Sequence, residues 1–162
     1  MHLTDEQKTA IRECAKDEAS FEKILQILTP VSPLEKSYQI LTVDDDPTIN
    51  TFIHAVLEID GYNVCGVTSG QAAVEKINAQ RWDLIFLDII IPDIDGGQIL
   101  NIIRESELNK DTPVAFVTGM IKPEEEEGLV PRREKYIGKP FTVEKLRAVT
   151  RELLKIGVAV QS

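Results

Sequence analysis

From residue 39 onward, short apolar runs alternate with longer segments in which apolar residues recur every three or four positions. The short runs predict β-strands, because they are brief and carry β-branched and aromatic residues, whereas the longer spacing predicts helices with one buried face. Five strands are predicted, at residues 39–43, 62–67, 82–87, 113–117 and 135–137. Helices are predicted between or after them at 47–60, from 69 to about 78, around 99–103, and from 142 to about 156.

The alternation of strands and helices favours one parallel sheet with helices on both faces. Right-handed crossovers leave few arrangements for such a chain, and the open doubly wound sheet is the simplest of them. Ligands bind such sheets beyond the carboxyl ends of the strands. The pattern therefore predicts an α/β fold in which the functional residues follow the strands.

Residues at the predicted boundaries agree with these limits. Asp46 followed by Pro47 is typical of a helix start, because the aspartate caps free backbone N–H groups and proline fits the first helical turn. Gly61 is expected to end the same helix, since glycine readily adopts the conformation found just after a helix. This first helix of the sheet domain is therefore defined at both ends.

A further helical segment is predicted before the first strand, at residues 4–28. Thr4 and Gln7 have the spacing of a capping box, in which each side chain binds a backbone N–H of the first turn. Glu18 interrupts the apolar stripe, and a second helix could restart at Ser20. Because the stripe is broken and fewer than three heptads are present, this segment is expected to pack on the sheet domain rather than form a dimeric coil.

Three segments follow from this pattern. We expect a helical extension and a proline-containing linker at residues 1–36, a sheet domain at 37–156, and a tail at 157–162. The tail is too short for a DNA-binding or catalytic module, so no output domain is expected after the sheet domain.

Polar residues stand where four of the predicted strands end. Asp44 and Asp45 follow the first strand, Asp88 the third, Thr118 the fourth and Lys139 the fifth. Clustered carboxylates repel one another unless a cation lies among them, and oxygen ligands of this kind suit Mg²⁺. A carboxylate at the end of a buried strand is also costly without a partner. The sequence therefore predicts a cation site at this edge of the sheet.

Overall charge and composition narrow the classes of partner. The 27 acidic residues outnumber the 18 basic ones, which gives a formal net charge of −9 and argues against nucleic acid or an anionic membrane as the main partner. The two cysteines are too few for a disulfide framework, and the lack of a Cys/His cluster with zinc spacing argues against a structural zinc site. With no long apolar run and no secretion signal in the sequence, a cytoplasmic protein without membrane insertion is expected.

Four motifs at the strand ends resemble the receiver domain of two-component response regulators. The resemblance extends from about residue 38 to 156 and implies a flavodoxin-like (βα)5 fold with sheet order 2-1-3-4-5. The motifs are Val43-Asp44-Asp45, the loop at 88–96, Val117-Thr118-Gly119, and the segment at 136–141 that contains the family's lysine.

The resemblance also implies roles for the acidic residues. Asp88 would be the phosphoacceptor, which takes a phosphoryl group from a phosphohistidine of a histidine kinase or a histidine phosphotransfer protein. Asp44, Asp45, Asp88 and the backbone carbonyl of Ile90 would hold Mg²⁺. The protein would be a signalling phosphoacceptor rather than an enzyme, with self-phosphotransfer and autodephosphorylation as its only reactions.

Three further residues receive roles in the same way. Lys139 and the hydroxyl of Thr118 would bind phosphoryl oxygens, and Thr118 and Tyr136 would move as the conformational switch. Tyr136 is equally well explained as an ordinary strand aromatic. The downstream protein partner is not indicated by the sequence.

Alternatives remain open at this point. An aspartyl-phosphate hydrolase would share the chemistry, but its motif has a second aspartate two residues after the nucleophile, where this chain has Ile90. The chain could also be a receiver fragment of a hybrid histidine kinase, with residues 1–36 as the remnant of a linker, or a binding module that signals without phosphate. Residues 120–131 depart from the family pattern, and we expect only a short fourth helix there, because Gly128 and Pro131 follow the helix start at Pro123 closely.

Overall fold

The computed structural model describes residues 4–15, 17–27, 36–120 and 134–155 and contains a five-stranded parallel sheet. The strand order is β2-β1-β3-β4-β5, which confirms the predicted doubly wound, flavodoxin-like fold class. Each predicted strand is present with ends shifted by no more than two residues. The strands are β1 (Gln39–Val43), β2 (Asn63–Val67), β3 (Leu84–Leu87), β4 (Val114–Thr118) and β5 (Glu134–Gly138).

Six helices lie within the described residues: α1 (Asp5–Cys14), α2 (Glu18–Ile27), α3 (Pro47–Ile59), α4 (Gly70–Ala79), α5 (Gly96–Glu105) and α6 (Val143–Leu153). Asp46 caps α3 by accepting from the backbone N–H of Thr48, as predicted. Gly61, just beyond α3, has a φ of 91°, a backbone conformation that side chains disfavour. Thr4 and Gln7 form the predicted capping box at the start of α1.

The helical segment predicted at 4–28 is divided into two helices, α1 and α2, and the second begins at Glu18, two residues before the restart considered at Ser20. Ala15 is extended, with φ −81° and ψ 140°. The carboxylate of Asp17 then accepts a hydrogen bond from the backbone N–H of Ser20 at 2.7 Å. Asp17 therefore starts a new helix, because its side chain satisfies a backbone donor that the first turn leaves free.

Two apolar layers cover the two faces of the sheet. Neighbouring residues of one strand enter opposite layers, as Ile40 and Leu41 of β1 show. The four residues of β3 are all buried, as expected for a parallel strand with helices on both sides. The core therefore fixes the position of the strand ends, where the polar residues stand.

The extension packs against α3. Ile11 of α1 is fully buried in the same cluster as Phe52 and Ile53 of α3, and Phe21 of α2 belongs to this cluster as well. The Gln7 side-chain amide donates to Glu58 at 3.1 Å. Residues of the extension therefore complete an apolar layer of the sheet domain.

Replacing Ile11 by alanine is expected to lower the free energy of unfolding by about 2–5 kcal/mol, because it leaves a cavity in this layer. Urea unfolding followed by circular dichroism measures the change. Glu13→Ala, on an exposed position of the same helix, is the control and should have little effect. Equal stability of the two variants would show that α1 is not held on α3 in solution.

Other expectations fall on segments that the structure does not describe. The short fourth helix after Pro123, the linker prolines Pro30 and Pro33, and the tail at 157–162 lie outside the described residues. Within the described part of the chain, the helices are all too short or too polar to cross a bilayer.

Candidate functional site

Three carboxylates meet at the carboxyl edge of the central strands. Val43 of β1 pairs with Leu87 of β3, so the next residues of the two strands, Asp44 and Asp88, lie side by side. The Asp88 N–H donates to the Val43 carbonyl at 2.9 Å and extends this pairing by one step. Asp44, Asp45 and Asp88 each present an oxygen, and these atoms all lie within 4.8 Å of one another.

Lys139 brings one positive charge to the same place. Its Nζ lies 2.6 Å from Asp44 Oδ2 and 2.9 Å from Asp88 Oδ2. The backbone fixes its approach, because β5 pairs with β4 and the Lys139 N–H donates to the Thr118 carbonyl at 2.9 Å. Lys139 therefore reaches the carboxylates from the fifth strand, as its place in the sequence predicts.

Backbone N–H groups hold the second oxygen of each buried carboxylate. Asp46 N donates to Asp44 Oδ1 at 2.9 Å, and Ile90 N donates to Asp88 Oδ1 at 3.2 Å. Both carboxylates are thus oriented from both sides, with Lys139 on one oxygen and a loop amide on the other. Asp45 is exposed and stands at the mouth of the cluster.

The charges of the cluster fit a divalent cation. Asp44 and Asp88 are buried at 2% and 6% exposure, and one lysine balances only one of the three carboxylates. Of the two negative charges left, one is shared by the buried carboxylates and the other belongs to the exposed Asp45, and a buried charge without full compensation is unfavourable. Since the donors are all oxygens, the hard ion Mg²⁺ suits them better than a soft metal.

The electrostatics of the site follow from burial and pairing. Burial raises the pKa of Asp44, and hydrogen bonds from Lys139 and from Asp46 N only partly offset this effect. Burial alone would lower the pKa of Lys139, but its hydrogen bonds to Asp44 and Asp88 outweigh burial and raise that pKa. Lys139 is therefore firmly charged, while Asp44 is the carboxylate that takes up a proton more readily than an exposed aspartate.

Close packing places the loop that follows Asp88. A Cβ on Gly96 would lie 2.5 Å from the Asp88 carbonyl oxygen and 2.8 Å from Ile89 Cα, so only glycine leaves room for this approach. Asp93, which the sequence analysis did not single out, ties the same loop to α4. Its carboxylate accepts from Gln71 N at 2.9 Å and Gly70 N at 2.8 Å, and these bonds lower the pKa of Asp93.

Of the two predicted switch residues, Thr118 is linked to the cluster and Tyr136 packs on a residue of the neighbouring strand. Thr118 is buried at the end of β4, and its hydroxyl oxygen accepts from Met120 N at 3.2 Å. Tyr136 is half-buried, and its ring stacks on that of Phe116, with 5.1 Å between the ring centres. The structure therefore brings four of the predicted site residues into one cluster: Asp44, Asp45, Asp88 and Lys139. Thr118 is linked to Lys139 through a backbone hydrogen bond. Tyr136 contacts Phe116 on the neighbouring strand.

Comparison with known proteins agrees with this architecture. Residues 40–151 match the family described as the response regulator receiver domain. The transcriptional regulatory protein TrcR of Mycobacterium tuberculosis is 35% identical over 118 residues, which are 72% of this chain and 45% of that protein. The response regulator receiver protein CpdR of Brucella abortus is 30% identical over 125 residues, 75% of this chain and 98% of that protein. The chain thus spans about half the length of TrcR and nearly all of CpdR.

Solved structures show the same fold. The receiver domain of a sensor histidine kinase from Pseudomonas aeruginosa, with a magnesium ion coordinated in its active-site cleft, aligns with a TM-score of 0.65 at 29% identity. The alignment covers 74% of this chain and 99% of that domain. Chemotaxis response regulator CheY4 of Vibrio cholerae aligns with a TM-score of 0.64 at 26% identity, over 73% of this chain and 99% of CheY4. With its sheet order, its edge of acidic residues and a family match over most of its length, the chain belongs to the response regulator receiver domains of two-component signalling.

Proposed function

We propose that this receiver accepts a phosphoryl group on Asp88 from the phosphohistidine of a histidine kinase or a histidine phosphotransfer protein, in the cytoplasm. The observation that carries the proposal is the position of Asp88, whose carboxylate is 2.9 Å from Lys139 Nζ and has an oxygen within 4.8 Å of oxygens of Asp44 and Asp45. Phosphorylation would then change a surface that binds a downstream protein. Receiver domains work with such kinases and phosphotransfer proteins as a family.

Mg²⁺ is the cofactor that the cluster supports. Asp44, Asp45 and Asp88 would hold it through carboxylate oxygens, and the carbonyl of Ile90 would add a backbone ligand. When bound, the ion supplies positive charge to the phosphoryl oxygens, which is the main catalytic need of phosphoryl transfer. The relative from Pseudomonas aeruginosa, whose cleft contains magnesium, supports this assignment.

The side chains of this chain provide the rest of the chemistry. An ionised oxygen of Asp88 forms the new O–P bond while the N–P bond of the phosphohistidine breaks, and the electron pair of that bond stays on the imidazole nitrogen. No general base is needed, because an ordinary carboxylate is already ionised at neutral pH. Lys139 is charged and adjacent to Asp88, so it can bind a phosphoryl oxygen as charge develops.

Thr118 and Tyr136 are proposed to report the phosphorylated state. The Thr118 hydroxyl stands at the end of the strand next to β3, where it can donate to a phosphoryl oxygen. If Thr118 moves toward the phosphoryl group to make this bond, it leaves space behind it. The ring of Tyr136 can fill that space by leaving its stack on Phe116. The product is a signal, so the protein acts as a phosphoacceptor rather than as an enzyme with an external substrate.

Incubation with acetyl phosphate and Mg²⁺, followed by intact mass measurement, tests the proposal. We expect a gain of one phosphoryl group, and no gain when EDTA removes the metal, since carboxylate repulsion then opposes an anionic donor. A protein that takes up no phosphate in Mg²⁺ would contradict the proposal. Sustained release of phosphate from an aryl phosphate, over many turnovers, would instead identify the hydrolase alternative.

The raised pKa of Asp44 predicts how Mg²⁺ binding depends on pH. A carboxylate must lose its proton to bind a metal, and the pKa of Asp44 lies above the ordinary 3.8 in the folded protein. We therefore expect Mg²⁺ affinity to weaken, as pH falls, before exposed aspartates begin to protonate. Mg²⁺ titrations at a series of pH values, followed by amide NMR shifts, measure this dependence.

The same pKa sets the sign for the stability of the metal-free protein. Protonated Asp44 adds to the free energy of unfolding, because the folded protein binds this proton more tightly than the unfolded chain does. This contribution is fully present below pH 3.8, the ordinary pKa, and is lost as the pH rises through the raised pKa of the folded protein. In Asp44→Asn this stability change should disappear, and Mg²⁺ affinity should be weaker than in the wild type even at neutral pH, because one carboxylate ligand is lost. An affinity that stays constant until exposed aspartates titrate would show that Asp44 does not limit metal binding.

A further inference from the structure

Asn50 is a buried polar residue on the sheet-facing side of α3. The other buried residues of this helix are all apolar. It is 7% exposed and lies one turn after the helix start, with its N–H donating to the Asp46 carbonyl. The two hydrogens of its side-chain amide go to two backbone carbonyls, those of Asp44 and Val67, each at 2.8 Å. Asn50 therefore binds the ends of two neighbouring strands, β1 and β2.

One of these carbonyls belongs to the peptide between two proposed metal ligands. The last pair of the ladder between β1 and β2 is Val43 with Val67, so the Asp44 carbonyl lies just beyond it. The Asp44 carbonyl is part of the peptide that joins Asp44 to Asp45, and the two ligand side chains leave from its two ends. Holding this peptide in place limits the directions that both carboxylates can take.

The orientation of the Asn50 amide is fixed by its two acceptors. Gly66 of β2 packs beside Asn50, where an added Cβ would lie 3.6 Å from Cβ and Cγ of Asn50 in ordinary van der Waals contact and 3.2 Å from Thr42 Oγ1. The amide cannot be reversed without placing its oxygen against two carbonyl oxygens. Among the described residues its Oδ1 is buried without a hydrogen-bond partner, which is unfavourable for stability. The side chain therefore holds the two strand ends with both of its amide hydrogens, while its oxygen is left without a hydrogen bond.

We propose that Asn50 is a positioning residue for the metal site, which aligns Asp44 and Asp45 by fixing the peptide between them. This inference rests on the magnesium site proposed above. It predicts that Asn50 acts on Mg²⁺ affinity beyond any effect on stability, as residues that orient metal ligands generally do.

A second buried asparagine provides a matched control. Asn109 is fully buried and also donates both amide hydrogens to backbone carbonyls, those of Ile77 at 2.7 Å and Gln80 at 2.9 Å. These carbonyls are at the end of α4 and in the residue after it, away from the carboxyl edge of the sheet. Asn109 also accepts from Trp82 N, so its replacement removes at least as many bonds as replacement of Asn50.

The test compares Asn50→Leu and Asn109→Leu in the full chain. Leucine removes the donors without leaving a large cavity, and Asn50→Ala is the second variant in case leucine prevents folding. Mg²⁺ dissociation constants come from amide NMR titrations, and stability comes from urea unfolding in EDTA. We expect the Asn50 variant to bind Mg²⁺ about tenfold more weakly. The Asn109 variant, although destabilised, should bind Mg²⁺ as the wild type does.

Two outcomes would overturn the inference: unchanged Mg²⁺ affinity in the Asn50 variants, or an equal loss in the Asn109 variant. The first would leave Asn50 a purely structural residue, and the second would show that general destabilisation weakens the site. Acetyl phosphate labelling of the wild type separates these failures from a failure of the proposed function. If the Asn50 variants bind Mg²⁺ more weakly than the wild type, but the wild type takes up no phosphate, only the proposed function is contradicted.

Discussion

Asp88→Asn is expected to abolish phosphorylation by acetyl phosphate, with no mass gain under conditions that label the wild type fully. The substitution keeps the shape of the side chain but replaces an ionised oxygen with an amide nitrogen, so the nucleophile is lost. The amide oxygen of the variant can still accept from the backbone N–H of Ile90, which holds Asp88 Oδ1 in the wild type. The fold should therefore survive the change.

Asp46→Asn is the matched control for this experiment. Asp46 is an exposed aspartate two residues from Asp44, and its side chain caps α3 by accepting from Thr48 N at 2.8 Å. Asparagine caps helices equally well, so the variant should fold and take up phosphate. Phosphorylation of Asp88→Asn at the wild-type level would show that another residue is the acceptor, and the role of Asp88 would have to be abandoned.

The residues of this site could be predicted because each follows a strand that the apolar pattern locates. β1 has the same limits as predicted, so Asp44 falls at its end, and the pairing of β1 with β3 then brings Asp88 beside it. Parallel order alone is enough for this convergence, since it puts all the carboxyl ends at one edge. The sequence could not show which carboxylates pair with Lys139, because that depends on side-chain geometry.

Other features were missed because they depend on contacts between distant segments. β3 begins at Leu84 rather than at Trp82, because Trp82 N donates to the side chain of Asn109 instead of joining the sheet. Asp93 binds the start of α4, and Asn50 reaches across to Val67. A polar residue within the apolar pattern of a helix, as at Asn50, is the one signal in the sequence that points to such contacts.

Replacing Lys139 by methionine is expected to slow phosphorylation by acetyl phosphate about 10²–10³-fold, the usual effect of removing one group that stabilises developing negative charge. Methionine preserves much of the aliphatic stem and removes the ammonium that lies 2.9 Å from Asp88 and 2.6 Å from Asp44. Time courses of intact mass at several concentrations of acetyl phosphate measure the rate.

Mg²⁺ affinity, unlike the rate of phosphorylation, should not fall in Lys139→Met. Without the ammonium, the three carboxylates attract a divalent cation more strongly, so the affinity of Lys139→Met should be equal to or greater than that of the wild type. A variant that is slow because it has lost its metal would show reduced Mg²⁺ affinity instead. The two measurements together therefore separate a direct role of Lys139 on the phosphoryl group from an indirect role in shaping the metal site.

Lys135→Met is the control, since Lys135 lies on β5, the strand that Lys139 directly follows, and pairs with Glu152 at 2.8 Å, where both side chains are exposed. Exposed ion pairs contribute little to stability, so this variant should take up phosphate at the wild-type rate. If Lys139→Met were phosphorylated as fast as Lys135→Met, the ammonium would serve only to balance the charge of Asp44 and Asp88. The positive charge that the transfer requires would then have to come from the metal alone.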